Sequence, residues 1–290
     1  MEYFTLQTGV QIPAIGYGTV KLGKPPTEAN LDYSALQTAI NVGYRFFDTA
    51  MLYRNEDGIG KVLSECGVPR GELFISNKFP NNPPYHNTVE SIRQAVEKSL
   101  QRMQTDYYDL YLIHYAIPNK VKSLEGAAGV NTLTMDIEKA CQLWITMNDL
   151  KKEGKVQAVG VSYFDNNQLD VLIENTGIVP MVNQIRCNPA VPNFELIEYC
   201  KKMNILPEAH SPLNFAAGPG DIRKDPAYVE RICQVGKKYG KTWSQVLLRS
   251  YFQNGVVSVP GSTSRSHQAE NLDIFDFALT SEDMAIVQNR

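Results

Sequence analysis

The sequence predicts an α/β chain closed as a (β/α)8 barrel, the TIM-barrel architecture, entered through a short N-terminal β-hairpin. Three observations predict it. Short apolar runs rich in β-branched or aromatic residues alternate with longer segments of helical period along the whole chain. Eight such units fit within 290 residues, inside the size range of one α/β barrel. The first strand ends Gly16-Tyr17-Gly18-Thr19-Val20-Lys21, without the third glycine that an open dinucleotide-binding sheet carries after its first strand. Residues 1–290 are therefore expected to form one domain, its parallel strands joined by right-handed crossovers.

The elements follow in order. Residues 4–8 and 10–13 flank Thr8-Gly9 and read as a hairpin. Candidate barrel strands are residues 14–18, 45–48, 73–76, 110–114, 158–162, 181–184, 206–210 and 256–259. Helix candidates between them include residues 31–41, 88–103, 137–153 and 194–203. In the second of these, Val89, Ile92, Val96, Leu100 and Met103 recur at three and four residues, one face of a helix. Trp144 and Trp243 both fall in helical stretches and read as packing residues. Two long connections, 115–136 and 214–226, contain Gly or Pro and are candidates for a functional role.

Composition removes several classes of function. The formal net charge is −3 and the pI near 5.9, which gives no basic footprint for nucleic acid. Cys66, Cys141, Cys187, Cys200 and Cys233 are scattered, without a C-x-x-C pair, so neither a metal site nor a redox pair is expected. Residues 1–5 lack a basic stretch followed by an apolar run, and no apolar stretch approaches the roughly 20 residues of a membrane helix. A reducing, cytoplasmic setting is the expectation.

In a barrel of this kind the active site lies at the C-terminal ends of the strands. Asp48, Lys78, His114, Ser162, Gln184 and His210 end six of the predicted strands or immediately follow their ends. Burying unpaired polar groups is unfavourable by several kcal/mol, so a strand that only packs has no use for them. Each also has a structural alternative: Asp48-Thr49 as a helix cap, Lys78 as a solvated loop residue, His114 as a core histidine, Tyr53 as packing. Together they suit one reaction. A carbonyl accepting a hydride needs a proton, and a phenol is a weak acid at neutral pH. Lys78 beside Tyr53 is expected to lower the phenol's pKa. Asp48 would hold Lys78, and His114 would donate to the substrate oxygen as charge develops there.

Gly43-Tyr44-Arg45-Phe46-Phe47-Asp48-Thr49-Ala50 with Tyr53-Arg54-Asn55-Glu56 resembles the signature of the aldo-keto reductase family around its catalytic Asp and Tyr. Leu73-Phe74-Ile75-Ser76-Asn77-Lys78 and Tyr108-Asp109-Leu110-Tyr111-Leu112-Ile113-His114 resemble the segments carrying that family's Lys and His. The match runs from the Thr8-Gly9 hairpin through Glu270-Asn271-Leu272 and Phe275-Asp276-Phe277, nearly the whole chain. The resemblance implies a monomer that reduces a small-molecule aldehyde or ketone, with NADP(H) favoured over NAD(H). Tyr53, Lys78, Asp48 and His114 would form the catalytic tetrad. Gly18, Thr19, Ser162, Tyr163, Gln184, His210, Ser211 and Leu213 would meet the cofactor's nicotinamide and pyrophosphate. Gly261, Ser262, Arg265, His267, Glu270 and Asn271 would meet its adenosine end. Val20, Phe79 and Tyr115 stand where members place bulky pocket residues.

Four departures from the family pattern fall in the cofactor half. Tyr163 replaces an Asn that helps hold the nicotinamide amide, and it cannot copy that side chain's two-sided hydrogen bonding. His210 replaces a ring-stacking Tyr and brings a titratable charge. Gly261 and His267 stand at the usual Lys and Arg positions, with Arg265 as a shifted phosphate contact. These changes imply weakened discrimination for NADPH. They also motivate an alternative: a barrel serving as a non-redox lyase or dehydratase, or as a cofactor-sensing subunit.

Overall fold

Eight parallel strands hydrogen-bond in strict chain order in the computed structural model, which describes residues 1–20, 22, 33–81, 88–116, 136–213 and 222–289. The strands are β3 (Tyr17–Gly18), β4 (Phe46–Asp48), β5 (Phe74–Phe79), β6 (Tyr108–Ile113), β7 (Val156–Ser162), β8 (Val182–Arg186), β9 (Leu206–His210) and β10 (Val257–Val259). The sheet closes through its two edges. Gly16 N–H donates to Ser258 O at 2.9 Å, Ser258 N–H to Ala14 O at 3.0 Å and Gly18 N–H to Pro260 O at 3.1 Å. Residues 14–16, read as strand from the sequence, are thus used for closure, and β3 proper is two residues long.

Side-chain alternation sorts each strand into an inner and an outer face. On β5, Phe74 joins an inner cluster with Phe46, Leu110, Leu112, Val182 and Val257, whereas Ile75 and Phe79 join the outer core beneath the helices. The antiparallel hairpin of β1 (Tyr3–Thr5) and β2 (Gln11–Pro13) supplies Leu6 and Ile12 to the inner cluster. It therefore plugs the N-terminal end of the barrel and leaves the other end for the site.

Ten helices surround the described barrel: α1 (Ser34–Val42), α2 (Glu56–Glu65), α3 (Val89–Arg102), α4 (Ile137–Lys152), α5 (Asn166–Thr176), α6 (Phe194–Lys202), α7 (Pro226–Tyr239), α8 (Trp243–Gln253), α9 (Arg265–Leu272) and α10 (Ser281–Gln288). Local chemistry sets their ends. Thr88 with Ser91, Asp165 with Gln168 and Thr242 with Gln245 form reciprocal caps on α3, α5 and α8. The predicted stripe of α3 is buried at Ile92, Val96, Leu100 and Met103, but Val89, in the first turn, is exposed. Outside the barrel, Glu56 accepts from Asn77, Ser99 and Arg102, tying α2 and α3 to β5. No described helix is long and apolar enough to cross a membrane. Residues 31 and 32 of the first predicted helix lie outside the described residues, as do 117–135 and 214–221 of the two long connections.

Candidate active site

Asp48 is the last residue of β4, and the chain then turns through Thr49 and Ala50 into a short 3-10 turn, Met51–Tyr53. Backbone bonds Thr19 N–H to Asp48 O at 3.0 Å and Thr49 N–H to Ser76 O at 2.9 Å fix this segment. The Asn55 amide donates to Thr19 O and Leu22 O, anchoring the neighbouring loop. Lys78 faces inward from β5 and is fully buried. Its ammonium donates to Asp48 Oδ1 at 2.6 Å, Asp48 Oδ2 at 2.7 Å and Thr49 O at 2.8 Å, which satisfies all three of its donors. The same nitrogen lies 5.2 Å from the centroid of the Tyr53 ring.

His114 follows β6. Its ring stands edge-on to Tyr53 at 5.9 Å between centroids and stacks on Tyr115 at 4.2 Å. The row continues from Tyr115 to Tyr163 at 5.5 Å and from Tyr163 to His210 at 4.7 Å. These rings border a cavity of about 270 Å3 that Gly18, Thr19, Val20, Asp48, Tyr53 and Gln184 also line, with Ser211, Leu213 and Gly261 at its side. A second cavity of about 540 Å3 shares Gly18, Leu213 and Gly261 with the first and continues over Ser262, Trp243, His267, Glu270 and Asn271. Lys78 and Ser162 are fully buried beneath this groove. Arg265 is exposed at the start of α9 and lines neither cavity. Phe79 is a correction: with Lys78 pointing inward, the next residue points outward, and Phe79 sits in the outer core.

Charge in the site differs from the sequence expectation in two respects. The Tyr53 phenol is pushed well above its ordinary value by burial, then by Asp48 and Glu208, not lowered. Burial and the two carboxyls outweigh the Lys78 ammonium 5.2 Å from the ring centroid. His210 carries no titratable charge in the physiological range, because burial, then Lys78 and Arg186, push it down to about 3. His114 is likewise held well below 6.5 by burial, Lys78 and His210. Both imidazoles are neutral.

Two strand ends are strained. Tyr163 has φ 57° and Ser211 φ 52°, in the left-handed region where a bulky L-residue is an outlier. Asn tolerates that region far better, which adds a backbone reason to the hydrogen-bonding one for the Asn of the family pattern. Gly18 and Gly261 meet backbone to backbone across the groove: a Cβ on Gly261 would lie 2.8 Å from Gly18 O. A lysine at 261 would displace the end of β3.

Three residues of the site were not singled out in this role by sequence reasoning. Glu208, on the inner face two residues before His210, is fully buried and paired in register with Gln184. Alternation counted back from His210 would have found it. Trp243, read as helix packing, is at the start of α8 and lines the second cavity as well as packing on the core. Arg186 extends β8 two residues beyond its expected end, pairing with His210.

The family model described as "Aldo/keto reductase family" matches residues 14–289. Glyoxal reductase of Bacillus subtilis (strain 168) is 38% identical over 281 residues, covering 96% of this chain and 89% of the relative. Methylglyoxal reductase DkgA of Escherichia coli O157:H7 is 34% identical over 279 residues, covering 96% and 90%. Among solved structures, a Bombyx mori aldo-keto reductase in complex with NADP superposes with a TM-score of 0.81 at 29% identity, covering 99% of this chain and 92% of that one.

Proposed function

The chain belongs to the aldo/keto reductase family, and we propose that it reduces the carbonyl of a small aldehyde or ketone at the barrel mouth with a nicotinamide dinucleotide, NADP(H) ahead of NAD(H). The observation that carries this reading is the buried Lys78–Asp48 pair beneath Tyr53, with neutral His114 beside it, in a cavity that adjoins a second one through Gly18, Leu213 and Gly261. The names of the relatives support a small carbonyl as substrate, and the NADP complex of the Bombyx mori protein supports the nucleotide.

The residues present fit such a cofactor. Ser162 Oγ and His210 Nε2 are buried beside the groove without a partner, and buried polar atoms without partners are rare unless a ligand or water meets them. The glycine pair Gly18–Gly261 gives a backbone floor where the two cavities join. Ser162 and Gln184 would hold the nicotinamide carboxamide, and Ser211 and Leu213 the pyrophosphate. Glu270 and Asn271 would hold the adenine, with Trp243 beside them. When bound, the nicotinamide supplies a hydride to the substrate carbon.

The protein's own part is the proton and the charge. Tyr53 enters the reaction as a fully protonated phenol, because burial and the carboxyls of Asp48 and Glu208 keep it so. As the carbonyl oxygen becomes an alkoxide, a far stronger base than the phenolate, Tyr53 Oη gives up its proton. The phenolate that forms lies beside Lys78, which Asp48 and Thr49 O hold in place. His114, neutral, donates one hydrogen bond to the same oxygen and adds no positive charge that would compete with the proton transfer. Titrating the purified protein with NADPH and NADH, then screening small aldehydes and ketones with whichever binds, tests the reading. Absence of binding by either nucleotide at millimolar concentration would end it.

Two further expectations arise here. With Gly261 locked against Gly18 and His267 in the second cavity, the site has one fewer lysine for the 2′-phosphate. The ratio of kcat/KM for NADPH over NADH is expected to be below about a hundredfold, each lost charge-assisted contact removing about 1.5–3 kcal/mol. Steady-state kinetics with both nucleotides checks this. Tyr163→Asn relieves backbone strain of about 1–3 kcal/mol but loses two ring contacts of about 0.5–1.5 kcal/mol each. The terms nearly offset, so the urea midpoint is expected to move little. NADPH binding is expected to tighten about three- to tenfold through a regained amide hydrogen bond; weaker binding would show Tyr163 itself to be a cofactor contact.

A further inference from the structure

Glu208 is a carboxyl with no solvent exposure at the base of the site, and the mechanism above uses it only as a background charge. It accepts a hydrogen bond from Gln184 Nε2, while its Oε2 has no partner. The same Gln184 nitrogen donates to Asp48 Oδ1 at 3.0 Å. An ionised carboxylate only accepts, so the atom of Gln184 that faces Asp48 must be the nitrogen. Its two hydrogens are then committed to Asp48 and Glu208, and its oxygen is turned away from both carboxyls. One unbroken set of contacts runs Glu208–Gln184–Asp48–Lys78, and Lys78 lies against the Tyr53 ring.

We propose that Glu208 is a positioning residue that, with Asp48, aims the Gln184 oxygen at the nicotinamide carboxamide, and whose own charge favours the oxidised cofactor over the reduced one. The inference rests on the functional reading above, since it needs a nicotinamide over Gln184. The oxidised ring carries a positive charge that the reduced ring lacks. A carboxylate one residue layer below it attracts the first and not the second.

The surrounding groups leave Glu208 as the one that changes charge in the useful range. Facing it inside the barrel are Asp48 of β4, Lys78 of β5 and Gln184 of β8, with Tyr53, His114, Arg186 and His210 toward the mouth. Val257 of β10 pairs with Glu208, and Ser162 of β7 with Gln184. Burial, then Asp48, raise the Glu208 carboxyl to about 8. It is therefore neutral below that pH and charged above it. Tyr53 lies well above 10 and both histidines well below 6.5, so they stay neutral through this interval.

The experiment measures dissociation constants of NADP+ and NADPH for the wild type and Glu208→Gln between about pH 6.5 and 9.5. The 2′-phosphate is common to both nucleotides and cancels in the ratio. In the wild type the ratio Kd(NADP+)/Kd(NADPH) is expected to fall by at least about tenfold as pH rises through about 8, the least that one unit charge within about 12 Å produces at an effective dielectric near 20. Glu208→Gln keeps an oxygen to accept from Gln184, and its ratio is expected to stay flat. A flat wild-type ratio overturns the proposal whether or not the variant folds. So does a pH-dependent ratio that persists in Glu208→Gln. Failure of the wild type to bind either nucleotide at any pH would instead overturn the function itself, and this inference with it.

Discussion

Tyr53→Phe is expected to lower kcat/KM for carbonyl reduction by about a thousandfold, within the span typical for loss of a positioned general acid. It is expected to leave the NADPH dissociation constant within about threefold. The variant removes one oxygen and nothing else: the ring keeps its edge contact with His114 and its place 5.2 Å from the Lys78 ammonium. Neither His114 nor Lys78 is able to replace it as an acid. The imidazole of His114 is held well below 6.5, so almost none of it carries a donatable proton at neutral pH. Lys78 has its three donors occupied by Asp48 and Thr49. Stopped-flow hydride transfer with NADPH bound separates the two quantities. Unchanged reduction by the variant would remove Tyr53 from the reaction, while loss of NADPH binding would make it a cofactor contact instead.

The barrel was legible because its signal repeats. Eight apolar runs of similar length, each followed by a helical stretch, leave few topologies, and β9 matches its expected bounds, residues 206–210. What escaped lacked that signal. The α2 segment Glu56–Glu65 is short and carries two glycines, which lower helix propensity, and α9, Arg265–Leu272, has almost no apolar stripe. Strand ends drift for a different reason. Ala14 and Gly16 look like strand interior but bond to Ser258, a partner about 240 residues away that no local pattern reveals. In the site, residues at strand ends could be named because a barrel fixes where function sits. Phe79 was misplaced by motif position, although alternation from Lys78 already sends it outward. Charge states were the least legible. The sequence shows that a lysine follows an aspartate by thirty positions, but not that burial and the carboxyls of Asp48 and Glu208 outweigh that lysine at Tyr53.

Lys78→Met is expected to destabilise the protein by about 3–5 kcal/mol, the usual result of breaking a buried ion pair from one side. Asp48 would keep only the Gln184 contact at 3.0 Å to offset its burial. The paired change Asp48→Leu with Lys78→Met removes both charges and is expected to recover most of that loss. Apolar replacement of an entire buried pair is often neutral or stabilising, because desolvation of the two ions roughly offsets their attraction. Activity is expected to behave differently. Both the single and the double variant lose the cation that steadies the Tyr53 phenolate as it forms, so both should reduce carbonyls at least about a hundredfold more slowly. Urea unfolding and kcat/KM measured on the same three proteins form the test. Stability regained without activity means that this fold gains little from the pair and the chemistry requires it. Activity regained in the double variant would show that the pair only holds β4 against β5, and that Tyr53 needs no cation beside it.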